Sequence, residues 1–184
     1  TASPIEALPP APTYALPDEL VGKTEITALR TSHTATYDLG NGDLAMVMDT
    51  TALHYQDANG NWLPVNPYFR RMGSRWINNT NTVQLDVDER SSHARVVANA
   101  ASANPPSVKW QPLALEFAEA NGEVTPFALP KSHNEAQPAM RTADGQTVRF
   151  MESWSQGLQD QWQSAPGRVE YSMRLNQSPE RWFW

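Results

Sequence analysis

In the stretch Arg168-Val169-Glu170-Tyr171-Ser172-Met173-Arg174-Leu175, large apolar side chains alternate with polar ones. This two-residue period is typical of a β-strand that buries one face and leaves the other in water. The same alternation runs from Val83 to Asp88, as Val-Gln-Leu-Asp-Val-Asp. Shorter segments repeat it at 108–110, 113–117 and 148–150. These segments predict strands over much of the chain.

Turn-forming residues separate the strand segments. They occur at Gly40-Asn41-Gly42-Asp43, Asn121-Gly122, Asp144-Gly145 and Pro166-Gly167, and such residues favour tight turns between neighbouring strands. Short strands joined in this way indicate an all-β fold, specifically an antiparallel β-sandwich or an open barrel.

Three segments need separate interpretation. The continuous apolar run Leu44–Met48 predicts a strand that is covered on both faces. Residues 90–103 could start a helix at Ser91 or Ser92, but the Val96-Val97 pair favours a strand. Residues 125–141 contain three prolines, which predict a long surface loop.

The domain organisation follows from the distribution of proline. Residues 1–22 hold five of the 15 prolines of this 184-residue chain and predict an extended linker or arm. We expect residues 23–184 to form a single domain within a longer protein. The aromatic run Trp182, Phe183 and Trp184 is expected to pack against adjoining chain.

The composition excludes several classes of site. There is no cysteine, so disulfides and thiol nucleophiles are impossible. The formal charge is −6, with no basic cluster, which argues against nucleic acid as a partner. No apolar run approaches the ~20 residues of a membrane helix. No phosphate loop, dinucleotide fingerprint or nucleophile elbow occurs, and we expect no cofactor.

The segment 53–65 contains the clearest local motif, a turn at Asn59-Gly60 between two apolar arms. We interpret it as a β-hairpin. The alternative is a calcium loop built on Asp57, Asn59 and Asn61. A calcium loop of the EF-hand type needs glycine at its sixth position and glutamate at its twelfth. Trp62 and Tyr68 stand there instead, so no metal site is predicted.

Seven tryptophans suggest a second hypothesis, a carbohydrate-binding module, because sugar rings stack on flat aromatic faces. The candidate ligand-binding residues are Trp76, Asn78 and Asn79, where the tryptophan is expected to be exposed. Trp62 and Trp110 are expected in the core.

A third hypothesis is a hydrolase. Asp86 and Asp88 share one face of a predicted strand, and paired carboxylates serve as acid and base in glycosidases. The four histidines at 33, 54, 93 and 133 are widely spaced and predict turn or surface positions. No residue is assigned a catalytic role, and the chain is more consistent with a non-enzyme.

Two stretches resemble a known family. The first joins Arg30-Thr31-Ser32-His33-Thr34-Ala35-Thr36-Tyr37 to Leu39-Gly40-Asn41-Gly42, and then Leu53-His54-Tyr55-Gln56-Asp57 to Gly60-Asn61-Trp62 and Val65-Asn66. The second runs from Gly167 to Pro179. Both are similar to the region upstream of the repeats in large bacterial wall-associated and YD-repeat (Rhs-type) proteins of the polymorphic-toxin kind.

The resemblance implies a β-rich, non-catalytic structural or interaction module of an exported bacterial protein. Its location would be secreted or on the cell surface. Its partners would be neighbouring domains of the same long polypeptide, with a cell-surface glycan as a further possibility. The resemblance supplies no catalytic residue.

Overall fold

The computed structural model describes residues 6–11, 14, 16–98, 101–102, 104–118, 120–155 and 158–175. Two 3-10 helices span Asp18–Leu20 and Thr27–Leu29. The strands are β1 (Thr24–Glu25), β2 (Thr34–Gly40), β3 (Asp43–Met48), β4 (His54–Gln56), β5 (Trp62–Pro64), β6 (Arg70–Met72), β7 (Arg75–Asn78), β8 (Val83–Asp88), β9 (Ala94–Ala98), β10 (Ser107–Trp110), β11 (Leu115–Ala118), β12 (Val124–Ala128), β13 (Met140–Arg141), β14 (Thr147–Phe150), β15 (Leu158–Ala165) and β16 (Arg168–Leu175).

The protein is all-β, as the alternation predicts. A five-stranded sheet has the order β10-β9-β8-β7-β6, and a four-stranded sheet has the order β13-β14-β15-β16. Every strand pair in both is antiparallel. The inward side chains of the two sheets form one apolar cluster with Phe69 and Ala139, which directly precede β6 and β13. The strand residues of the cluster are Trp76, Leu85, Val87, Ala94, Val148, Phe150 and Trp162.

Three smaller sheets complete the described chain. They are the three-stranded sheet β1-β2-β3 and the two hairpins β4-β5 and β11-β12. The three-stranded sheet has its own apolar cluster, in which Ala35, Tyr37 and Leu53 pack with Leu20 of the N-terminal segment. This sheet therefore does not depend on the main core for its burial.

Asn81 joins the two large sheets through hydrogen bonds at their turns. Its amide nitrogen donates to the Ala165 carbonyl at 2.8 Å, and its amide oxygen accepts from the Gly167 backbone N–H at 2.9 Å. Gly167 has a φ of +76°, which glycine adopts without the strain that a side chain brings. The turn between β7 and β8 is thus bonded to the turn between β15 and β16.

The structure confirms the hairpin at 53–65 as β4 and β5, and the strand preference at 90–103 as β9. The surface loop predicted at 125–141 is wrong at both ends, since β12 and β13 lie there. Pro126 fits into β12 because the ladder is irregular beside it, between Leu115 and Glu116 of the partner strand. Bulges and edge strands tolerate proline's missing N–H.

The prediction that Leu44–Met48 is covered on both faces is also wrong. This run forms β3, which is the last strand of its sheet and alternates between half-buried and exposed residues. A continuous apolar run does not distinguish a doubly covered strand from one with an uncovered face.

Candidate functional site

The residues proposed to bind sugar do not form an open site. Trp76 is 8% exposed, and its indole N–H donates to the Ala139 carbonyl at 3.3 Å. It belongs to the core between the large sheets. The expectation that this tryptophan is exposed is therefore wrong, and it lacks the free ring face that sugar stacking needs.

The two asparagines have different surroundings. Asn78 is buried, and its amide donates to the carbonyls of Asn66 and Tyr68 at 3.0 and 3.1 Å. Asn79 is exposed, and its side-chain oxygen accepts from Arg70 at 3.1 Å. Asn78 thus holds a loop together, and only Asn79 faces solvent.

Trp110 differs from its expected core position. It lies on the edge strand β10 and is 42% exposed. Its ring contacts Tyr171 and Trp162, at centroid distances of 5.2 and 6.3 Å. Trp182, Phe183 and Trp184, the predicted interface residues, lie outside the described residues.

The paired aspartates on β8 have separate partners. Asp86 accepts a hydrogen bond from the Arg75 guanidinium. Asp88 accepts from the Arg90 backbone N–H and the Ser91 hydroxyl, each at 2.9 Å. Each carboxylate is therefore occupied by a local contact, and the two do not form the facing pair that glycoside hydrolysis uses.

The segment considered as an alternative calcium loop, which contains Asp57, Asn59 and Asn61, forms a turn. One oxygen of Asp57 accepts backbone N–H bonds from Asn59 and Asn61 at 2.9 and 2.8 Å. These bonds, led by those from Asn61, lower the pKa of Asp57. Within the described ranges there is no group of three or more His, Asp or Glu side chains suited to holding a metal ion.

A charged network that the sequence spacing does not reveal supports the three-stranded sheet. The Arg30 guanidinium donates to both carboxylate oxygens of Glu25, at 2.7 and 2.6 Å. The His54 Nε2 lies 3.2 Å from Glu25, and its Nδ1 lies 2.9 Å from the Thr31 carbonyl. These residues meet only because β1, the 3-10 helix Thr27–Leu29 and β4 converge in the fold.

The chemistry of this network is structural. The hydrogen bond and charge of Arg30 lower the pKa of Glu25, so the carboxylate remains ionised beside the guanidinium. His54 is almost completely buried and both of its ring nitrogens have partners. Nearby, the Tyr14 and Tyr37 hydroxyls lie 2.5 Å apart, and burial raises the pKa of Tyr14. The network supports the β1 side of the three-stranded sheet, and β3 lies at the opposite edge of that sheet.

The outward side of β3 contrasts with this network because its side chains are exposed to solvent. Ala45 and Val47 point inward and pack on the small cluster. Leu44, Met46 and Met48 point outward and are 57%, 63% and 74% exposed. Within the described residues no strand pairs with the free side of β3. We call this surface, the unpaired side of β3 with Leu44, Met46 and Met48, the β3 edge.

Another edge strand is covered by the N-terminal segment. The backbone N–H of Glu6 donates to the Arg71 carbonyl of β6 at 3.4 Å, and the Glu6 carboxylate pairs with the Arg141 guanidinium. Natural sheets usually protect their edges by covers of this kind or by charged side chains. Apart from Asp43 at its start, β3 carries no charge.

No membrane-crossing candidate is present among the helices of the described chain, since none is long or apolar enough. Comparison with protein-family models, with curated proteins and with solved structures gave no match in any of the three.

Proposed function

We propose that this chain is a non-catalytic structural or interaction module of a large exported bacterial protein of the cell-surface or YD-repeat type. In this proposal the β3 edge receives an extended segment from a neighbouring domain of the same polypeptide. The observation that carries the proposal is the exposed row of Leu44, Met46 and Met48 on an unpaired strand. The resemblance in the hairpin region supports the class of parent protein.

The geometry suits strand addition. An added strand would form main-chain hydrogen bonds with β3, while its alternate side chains would pack on the outward row. Full burial of a leucine or methionine side chain stabilises a complex by about 1.5–3 kcal/mol. Methionine also adapts its shape to different partners. The three side chains retain more than half of their exposure, so most of this stabilisation is still to be gained.

Packing and pairing within the sheet hold β3 in a fixed extended conformation, with which an added strand can pair. The inward residues Ala45 and Val47 are fixed by packing, and Tyr37 on β2 pairs in register with Ala45. A strand held in this way loses little conformational freedom when a partner binds, which favours association.

The test is hydrogen exchange of residues 43–48, measured in this chain alone and in the complete polypeptide that carries it. We expect slower exchange in the complete polypeptide, and loss of that protection in Met46→Lys. Leu113→Lys is the matched control, because Leu113 is exposed and lies outside every strand. Equal exchange in the two contexts, or equal loss of protection in both variants, would contradict the proposal.

A further inference from the structure

A polar groove lies on the outward face of the four-stranded sheet. It has a volume of about 300 Å³ and is lined by Arg149, Gln159, Asp160, Gln161, Ser172 and Arg174. The strand register brings these residues together. Gln161 is opposite Arg149 on β14 and Ser172 on β16, while Gln159 is opposite Arg174. Neighbouring strands are about 4.8 Å apart, so both guanidiniums border the same glutamine pair.

The groove carries a net positive charge, because its lining has two guanidiniums and one carboxylate. Its single carboxylate, that of Asp160, is buried and accepts hydrogen bonds from the Ser153 and Tyr171 hydroxyls at 2.5 and 2.8 Å. In the described part of the chain, neither Arg149 nor Arg174 has an ion-pair partner. Two guanidiniums that are not paired with a carboxylate attract a negatively charged ligand.

A second groove lies along β9 and β10 of the five-stranded sheet and has a different charge balance. It is lined by Arg75, Arg95 and Lys109 among others, but Arg75 already pairs with Asp86. Asp86 is also the cross-strand neighbour of Arg95. The Asp86 carboxylate therefore competes there with an added anion for Arg75, whereas Arg149 and Arg174 are not paired with any carboxylate of the described residues.

The other lining groups specify the ligand further. The amides of Gln159 and Gln161 and the hydroxyl of Ser172 each both donate and accept hydrogen bonds, as sugar hydroxyls do. Guanidiniums bind carboxylates through two parallel hydrogen bonds. The described lining contains no aromatic ring, so recognition must rely on charge and hydrogen bonds and not on stacking.

We propose that this groove binds a carboxylated sugar, the uronic acid unit of an acidic polysaccharide. Arg149 and Arg174 would bind the carboxylate, while Gln159, Gln161 and Ser172 would bind ring hydroxyls. The site lies on a different sheet from the β3 edge and does not depend on strand addition there.

The test is titration calorimetry with trigalacturonate, and with maltotriose as a neutral trisaccharide of the same length. We expect binding of the acidic trisaccharide only, weakened by added salt because the arginines are exposed. Arg149→Gln and Arg174→Gln should each reduce affinity about tenfold, the effect of losing one charge-assisted contact. Arg168→Gln is the control, since Arg168 is on the same face outside the groove.

Any one of several results would overturn the assignment. They are no binding of trigalacturonate at millimolar concentration, equal binding of maltotriose, or the same loss of affinity in Arg168→Gln as in Arg149→Gln. Stronger binding of inorganic sulfate or phosphate than of the uronate would also overturn it, because it would show an anion site without sugar recognition. Circular dichroism of each variant verifies that the fold is retained.

Discussion

β3 and β16 are both last strands of antiparallel sheets, but they present opposite surfaces to solvent. The outward row of β3 is Leu44, Met46 and Met48, whereas that of β16 includes Arg168, Glu170 and Arg174. Charged side chains discourage a second strand from pairing with an edge, and apolar ones do not. The contrast indicates that β16 is a protected edge and that β3 is an available one.

The largest expected effect comes from removing the support behind β16. Trp162 is buried and packs against Tyr171 at a centroid distance of 4.9 Å. Trp162→Ala should lower the free energy of unfolding by about 3–5 kcal/mol, because it leaves a cavity in the core between the large sheets. Urea denaturation measures this. Met46→Ala on the β3 edge is the control, with an expected change within about 0.5 kcal/mol.

If the two variants unfolded at the same urea concentration, the distinction between a packed inward face and an uncovered outward row would be lost.

A smaller effect is expected from the charges that support β3. Glu25→Gln removes the carboxylate that binds Arg30 and His54, and should lower the free energy of unfolding by about 1.5–3 kcal/mol. The pKa of Glu25 is lowered in the folded state from its ordinary value of 4.5. Its stabilisation is therefore fully present above about pH 4.5 and is lost as the pH falls through the folded-state pKa.

The measurement is the difference in unfolding free energy between the native protein and Glu25→Gln as a function of pH. This difference should shrink in acid. Glu123→Gln, at an exposed position, should show no such difference at any pH. A gap between native protein and Glu25→Gln that stays constant down to pH 2 would contradict the assigned role of the carboxylate.

The smallest effect on stability is expected when charged outward residues of β16 are replaced by apolar ones, as on β3. This change also compares the two edge strands most directly. Arg168 and Glu170 are exposed and pair with each other at 3.4 Å, and surface pairs of this kind contribute little. The double variant Arg168→Val, Glu170→Val should change stability by no more than about 0.5 kcal/mol. Sedimentation velocity should nevertheless show stronger self-association, because the edge has lost its charges.

Met46→Lys should have the reverse effect and reduce any self-association of the native chain. Should neither variant change the sedimentation behaviour, outward charge would not be what distinguishes the two edges.

Alternation was sufficient to predict the strands that have one buried face, as for Leu85 and Val87 on β8. It could not predict exposure, which depends on where a strand lies in its sheet. Trp76 is buried because β7 is an interior strand, and Trp110 is half exposed because β10 is an edge. Strand order is a property of long-range pairing, and local periodicity does not contain it.

The candidate sites show the same limit. The polar positions Gln159, Gln161 and Gln163 alternate with buried residues, but two of those buried residues are the polar Asp160 and Ser164. Apolar alternation in the sequence therefore does not reveal the outward face of β15. The arginines that border the groove come from β14 and β16, and only the register places them beside the glutamines. The link between Glu25 and His54 likewise needs the tertiary fold.

The hydrogen bonds of Asn81 have a consequence for the order of events during synthesis. A ribosome delivers Asn81 well before Ala165 and Gly167, and domains fold as their chain emerges. Until the late hairpin arrives, the amide nitrogen of Asn81 lacks its acceptors on Ser164 and Ala165, and the five-stranded sheet lacks the layer that covers its apolar side. A nascent chain halted before residue 158 would therefore expose that side to chaperones and proteases.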